Sequence, residues 1–156
     1  MTTVDAAEVA EFPIFFGFSA EQISKVLGLA HSRDYSKGEV LLEESSDSTD
    51  VYLVLNGRVG VEMKLPIANG LRGFSKRLAL LRIGDIFGEM AYLEQRRRSA
   101  KVFAVDDVRV LRLEQAVLDQ LFAHDHLLGY LFMRNTACIL SRRLIELNFK
   151  WRDDVS

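Results

Sequence analysis

From residue 31 onward the apolar residues of this chain change period. They fall into seven short runs, near 31–36, 39–44, 51–56, 58–65, 76–82, 100–105 and 108–114, separated by glycine and by Asp/Ser-rich turns. Runs of this length and spacing read as strands and predict an all-β sandwich or barrel. The clearest is 58–65, with Val59, Val61, Met63 and Leu65 on one face and Arg58, Gly60, Glu62 and Lys64 on the other. Asn56-Gly57 just before it is the strongest turn signal, and predicts a type I′ hairpin to Val51-Tyr52-Leu53-Val54-Leu55. Lys37-Gly38 marks the first turn. Ser45-Ser46-Asp47-Ser48-Thr49-Asp50 reads as a polar loop whose side chains satisfy their own backbone, and 66–75, with Gly70 and Gly73, as a longer one.

Helical spacing flanks the strands. A short helix is expected over 3–11, stopped at Phe12-Pro13 because the residue before proline avoids the helical region. The aromatic cluster Phe12, Phe15, Phe16 and Phe18 is expected to pack onto the main body. Ser19 and Gln22 form a capping box for an amphipathic helix over 19–30, with Ile23, Val26, Leu27 and Ala30 on one face. After the strands, 115–123 reads as a short helix and 126–150 as a long one. The long helix carries a seam at spacings of four and three, Met133, Ala137, Leu140, Leu144, Leu147 and Trp151. That pattern fits a helix packed on the body, or a two-fold dimer through 133–151. The division is a helical segment 1–30, β strands 31–114 and C-terminal helices 115–156, in one domain overall.

Composition removes several classes. At 156 residues, 49% apolar and 27% charged, the chain is long enough for a core and too hydrophobic for disorder. Its net charge of −2 gives no general attraction to nucleic acid or anionic membrane. No run approaches the roughly 18 apolar residues of a membrane span, and Asp5, Glu8 and Glu11 replace the basic start of a signal peptide. The expected location is the cytoplasm, with no membrane partner. The lone Cys138 suits a reducing compartment and is expected to be a small core residue. His31, His124 and His126 have no metal-ligand spacing, so no metal is expected.

The chemistry is concentrated in 84–104, Gly-Asp-Ile-Phe-Gly-Glu-Met-Ala-Tyr-Leu-Glu-Gln-Arg-Arg-Arg-Ser-Ala-Lys-Val-Phe-Ala. Gly88-Glu89-Met90-Ala91-Tyr92-Leu93 reads as one or two helical turns opened by glycine, and a helix start presents unpaired N–H groups and partial positive charge. Arg98 offers a planar fork for phosphate, Ser99 a hydroxyl, and Ala100 lets an anion approach the backbone. Glu89 is an acceptor for a neutral hydroxyl. A ligand with one phosphate and a sugar hydroxyl fits the pair.

Phe-Gly-Glu-Met-Ala, followed nine residues after the Glu by Arg-Ser-Ala, resembles the phosphate-binding cassette of cyclic nucleotide-binding domains. The likeness extends through Tyr35-Ser36-Lys37-Gly38-Glu39-Val40-Leu41, Val51-Tyr52-Leu53-Val54-Leu55-Asn56-Gly57-Arg58-Val59 and Ile83-Gly84-Asp85-Ile86-Phe87-Gly88-Glu89, covering roughly residues 12–145. The resemblance implies a mainly β fold with flanking helices: an eight-stranded jelly-roll barrel, N-terminal helices and a long C-terminal helix. It puts Glu89 on a ribose 2′-hydroxyl and Arg98 on a cyclic phosphate, with Gly88, Met90, Ala91, Ser99 and Ala100 completing the ligand site. Phe149 and Trp151 become candidates for capping the base, and Ser99 favours cAMP over cGMP.

Arg97 stands where many family members have proline. After the long helix only Arg152-Asp153-Asp154-Val155-Ser156 remain, so no DNA-reading appendage and no DNA partner are expected. The leading expectation is a non-enzymatic sensor signalling through its C-terminal helices to a dimer or an unidentified protein effector. The alternative is an interaction module of the same fold that has lost nucleotide binding. A cupin-like metal enzyme would need clustered histidines on the strands, and Glu89 with Arg98 lacks a nucleophile–base partner.

Overall fold

The structure, a computed structural model, describes residues 3–64 and 75–155. Residues 65–74 lie outside the described residues and hold all of the expected loop over 66–75 except Ser75, which begins a strand. The chain divides into two compact units, residues 29–118 and residues 1–28 with 119–156.

Residues 29–118 are β. The strands are β1 (His31–Tyr35), β2 (Val40–Leu42), β3 (Val51–Asn56), β4 (Val59–Lys64), β5 (Ser75–Leu81), β6 (Ile86–Phe87), β7 (Lys101–Ala104) and β8 (Val108–Leu113). They form two four-stranded antiparallel sheets, ordered β1-β8-β3-β6 and β2-β7-β4-β5. The inward residues of both close on one core: Tyr52, Val54, Phe87, Val108 and Val110 from the first sheet, Leu42, Val59, Leu81, Val102 and Ala104 from the second. Burying this set supplies the main driving force for folding the unit.

The expected runs become strands, and the hairpin at Asn56-Gly57 does not form. β3 pairs with β6 and β8 while β4 pairs with β5 and β7, so the chain crosses here from one sheet to the other. A type I′ turn needs positive φ at both central residues. Only Gly57 has it, at 77°, while the Asn56 Oδ1 accepts the Gly57 N–H at 3.0 Å. A Cβ on Gly57 would lie 2.4 Å from the Asp107 carbonyl oxygen, so glycine is demanded by the close approach of Asp107 and Val108. The sequence reading also passed over β6. Two residues are too few to show alternation, yet Tyr52 opposite Phe87 stacks on it with centroids 5.1 Å apart.

In the helical unit, α1 (Ala6–Val9) is shorter than the expected 3–11 and is followed by a 3-10 turn at Pro13–Phe15. α2 (Ala20–Leu27) starts at the expected capping box, with Ser19 Oγ accepting from the Gln22 N–H at 3.1 Å and Gln22 Oε1 from the Ser19 N–H at 2.8 Å. α4 (Gln115–His124) begins in the β unit and ends in this one, and α5 (His126–Val155) runs on from it. The α5 residue Asn135 donates to the Ile14 and Phe16 carbonyls, both at 2.8 Å, which binds the 3-10 turn to the long helix. Two expectations fail here. Phe16 is 69% exposed, since its carbonyl and not its ring makes the contact with α5. Cys138 is exposed as well, because the buried stripe of α5 runs through Leu128, Phe132, Asn135, Thr136 and Ile139. No helix among the described residues is long and apolar enough to cross a membrane.

Candidate functional site

The cassette is anchored at its start by β3. The Gly84 N–H donates to the Val54 carbonyl at 2.9 Å and the Val54 N–H to the Asp85 carbonyl at 3.0 Å, and β6 then pairs with β3. Gly88 turns the chain with φ of 81° into the expected helix, α3 (Glu89–Glu94). The helix ends at Gln95, which is left-handed with φ of 55°, and the chain returns to β7 through the three arginines.

Arg98 is only 4% exposed, in contrast to its neighbours Arg96 and Arg97. Its guanidinium donates from Nη1 to the Gly88 carbonyl at 2.8 Å, from Nη2 to the Asp50 carbonyl at 2.7 Å, and from Nε to Ser48 Oγ at 3.1 Å. These contacts use three of the five guanidinium N–H groups. The backbone locks the same place: the Arg98 N–H donates to the Ser46 carbonyl at 2.9 Å, and the Ser45 N–H to the Arg98 carbonyl at 2.8 Å. Residues 45–50 thus form a cradle for Arg98; of the side chains expected to satisfy the local backbone, Ser46 does so, its Oγ donating to the Glu43 carbonyl at 2.7 Å, while Ser48, Thr49 and Asp50 bond to groups elsewhere in the chain. Their side chains marked them as loop, whereas most of their bonds to Arg98 come from main-chain groups that carry no residue signature.

Gly88 is necessary to this packing. A Cβ there would meet Arg98 Nη1 at 2.6 Å and the Asp50 carbonyl oxygen at 2.8 Å. Glu89 is also 4% exposed, and its charge attracts Arg98. Burial lowers the Arg98 pKa, with Tyr52, Asp50 and Glu89 opposing that shift, and a guanidinium stays charged in any case. Burial likewise raises the Tyr52 phenol, which lies beneath this region on β3. A buried cation held largely by carbonyl oxygens and near a carboxylate is an electropositive point suited to an anion.

The expected site residues separate by position. Gly88, Glu89, Ala91 and Arg98 lie in the buried layer or at its edge; Ser99 is exposed and Ala100 half-buried beside them. Met90 faces outward from α3. Phe149 and Trp151 are exposed residues of α5, in the other unit, and the Arg152 guanidinium stands 4.8 Å from the Phe149 ring centroid. The arginines beside Arg98 are tied to acids: Arg97 Nε to Asp47 at 2.9 Å and Arg96 Nε to Glu94 at 3.7 Å. Among the described residues no group of three or more His, Cys, Asp or Glu is arranged to hold a metal.

Comparison with known proteins gives this geometry its family. The sequence model of the cyclic nucleotide-binding domain matches residues 32–125. The chain is 31% identical over 142 residues to the cyclic AMP receptor protein of Thermus thermophilus, covering 88% of this chain and 60% of that protein. The crystal structure of the Thermus thermophilus catabolite activator protein superposes with a TM-score of 0.75 at 30% identity, covering 90% of this chain and 62% of that one. A cyclic nucleotide-binding domain from Methylobacillus flagellatus superposes with a TM-score of 0.80 at 26% identity, covering 90% and 79%. The chain therefore spans less than two thirds of the first two of these relatives. With its match over residues 32–125, this chain belongs to the cyclic nucleotide-binding domain family.

Proposed function

We propose that this chain binds a 3′,5′-cyclic nucleotide, cAMP in preference to cGMP, and acts as a regulatory module without catalytic activity of its own. The observation that carries the reading is the buried Arg98, poised by Gly88, Ser48 and Asp50 beside the buried Glu89. Arg98 takes the cyclic phosphate through its two remaining guanidinium donors, and Glu89 accepts from the ribose 2′-hydroxyl. Backbone N–H groups near Gly88, Ser99 and Ala100 complete the anion site, with Met90 and Ala91 lining it. Ser99, exposed next to Arg98, favours adenine, in keeping with the cyclic AMP receptor among the relatives.

The strand pairing supports a jelly roll. β1 with β8, β2 with β7, β3 with β6 and β4 with β5 are the nested pairs of one long ribbon folded on itself. The C-terminal helices carry the signal. Met133, Ala137, Leu144, Leu147 and Trp151 are exposed along α5, which supports pairing of two copies through 133–151 or capture of a protein effector. Phe149 and Trp151 are the residues available to cover the base when that helix closes.

Calorimetric titration of ligand-stripped protein with cAMP and with cGMP tests the proposal. Saturable binding of one nucleotide per chain, tighter for cAMP, is expected. A folded, empty protein giving neither heat nor thermal shift with either nucleotide would move the assignment to the interaction module.

A further inference from the structure

The two N-terminal helices leave a gap between them. Ala7 and Ala10 on the α1 side and Ala20 and Ser24 on α2 line a cavity of about 380 Å³, with the buried Ile23 and the half-buried Phe18 completing it. Larger side chains at these positions would interlock and fill the space; side chains this short leave it open. Asp5, which precedes α1, and Glu21, in the first turn of α2, add two exposed carboxylates to the lining. Among the described residues neither carboxylate has a hydrogen bond or an ion pair. The surroundings are acidic throughout, since residues 1–24 hold Asp5, Glu8, Glu11 and Glu21 and no Lys or Arg. An apolar gap rimmed by anions fits a large apolar side chain flanked by cations.

The last turns of α5 present that pattern. Residues 142–152 carry Arg142, Arg143, Lys150 and Arg152 against one acid, Glu146. Trp151, between two of these cations, is 70% exposed, and a bulky aromatic of this kind gains most from a fitted pocket at an interface. The helix carries this end away from the cleft of its own chain. Asn135 fastens α5 to the Ile14 and Phe16 carbonyls, and Phe15 between them meets the cleft residue Phe18 edge-on, with centroids 5.5 Å apart. From Asn135 to Trp151 the unbroken helix then runs about 24 Å.

We infer that the cleft between α1 and α2 receives the Trp151 end of α5 from a second copy of this chain, with Asp5 and Glu21 facing Lys150 and Arg152. The inference rests on the reading that two copies pair through 133–151, and names the surface that the helix end meets. Cleft and helix end belong to the same compact unit, so a two-fold axis repeats the contact and buries both ends at once.

Trp151 is the sole tryptophan of the chain, so its emission reports this contact without background. Sedimentation velocity and tryptophan emission of the ligand-free full chain, followed across concentration, test the inference. In wild type the emission is expected to move to shorter wavelength as the dimer forms. Asp5→Lys with Glu21→Lys sets cation against cation; it should raise the dimer dissociation constant about ten-fold or more and hold the emission at its solvent-exposed position. Lys150→Glu with Arg152→Glu, on the opposite surface, is expected to do the same. Mixed together, these two variants have complementary charges at both contacts and should pair within about three-fold of the wild-type affinity, which a folding defect in either would prevent. A wild-type dimer with unmoved emission, a cleft variant that pairs as tightly as wild type, or folded variants that fail to pair on mixing would overturn the inference and leave the α5 seam alone to join the copies. A wild type still monomeric at about 1 mM would overturn the pairing reading as well, and leave the cleft to a cationic segment of another protein.

Discussion

The space between the two sheets and the cradle around Arg98 are both buried, and they are closed by opposite means. Between the sheets, apolar side chains of both pack into one core. Around Arg98 one cation is held by two carbonyl oxygens, one hydroxyl and two backbone bonds, each with a specific geometry. Packing of the first kind tolerates exchange of one apolar residue for another of similar volume. Polar burial of the second kind fails when one partner is removed, because the groups left behind have lost water as well. Stability should therefore reside in the sandwich and binding in the cradle, and substitutions can show whether the two separate.

The largest effect is expected in the sandwich. Phe87→Ala removes the ring stacked on Tyr52 and should cost roughly 3–5 kcal/mol of folding stability, read from the denaturant midpoint. Affinity for cAMP measured where the variant remains folded should fall far less than stability. A comparable loss of both would break the separation. Gly88→Ala should do the reverse. Its methyl group would collide with Arg98 Nη1, and the displaced guanidinium should reduce cAMP affinity by about 10- to 100-fold, the worth of a charge-assisted bond. Positive φ at Gly88 adds a stability cost of about 1 kcal/mol, visible in the same unfolding experiment. Smaller still, Ser48→Ala deletes only the acceptor of Arg98 Nε and should weaken cAMP binding about five-fold.

The least effect belongs to the surface, where acid titration sharpens the contrast. The Arg58 guanidinium, 2.7 Å from Asp106, holds that carboxyl below its ordinary value of 3.8. A depressed folded-state pKa means the contribution is fully present above about pH 3.8 and is lost as pH falls through the lowered value. Asp106→Asn should remove that part of the acid limb and leave stability near neutral pH almost unchanged, because an exposed pair is screened by solvent. Unfolding followed from pH 7 to pH 2 checks this.

How far each region could be read in advance follows from the same difference. The strands were legible because alternation repeats the same message at every second residue, so Val51 to Asn56 and Val59 to Lys64 emerged with nearly their observed limits. The connection between them was not. Asn56-Gly57 carries the local preference of a hairpin, whereas the tertiary approach of Asp107 and Val108 decides where the chain goes next. In the site, Glu89 and Arg98 stood out by type and spacing. Residues 46–50 did not, since they reach Arg98 across about 50 positions and mostly through carbonyl groups common to every residue. Asp50 illustrates the limit: its carbonyl serves Arg98 and its carboxylate serves Arg112 and Gln115, and a sequence displays only the carboxylate.

The most direct test of the account is the affinity of ligand-stripped protein for cAMP, measured by calorimetry in wild type, Arg98→Ala and Glu89→Ala. Wild type should bind one nucleotide per chain. Arg98→Ala should lose more affinity than Glu89→Ala, by about ten-fold, because in the proposed site the arginine meets a charged phosphate and the glutamate a neutral hydroxyl. Equal losses, a reversed order, or undiminished binding in Arg98→Ala would contradict the assignment of the phosphate to the Arg98 cradle.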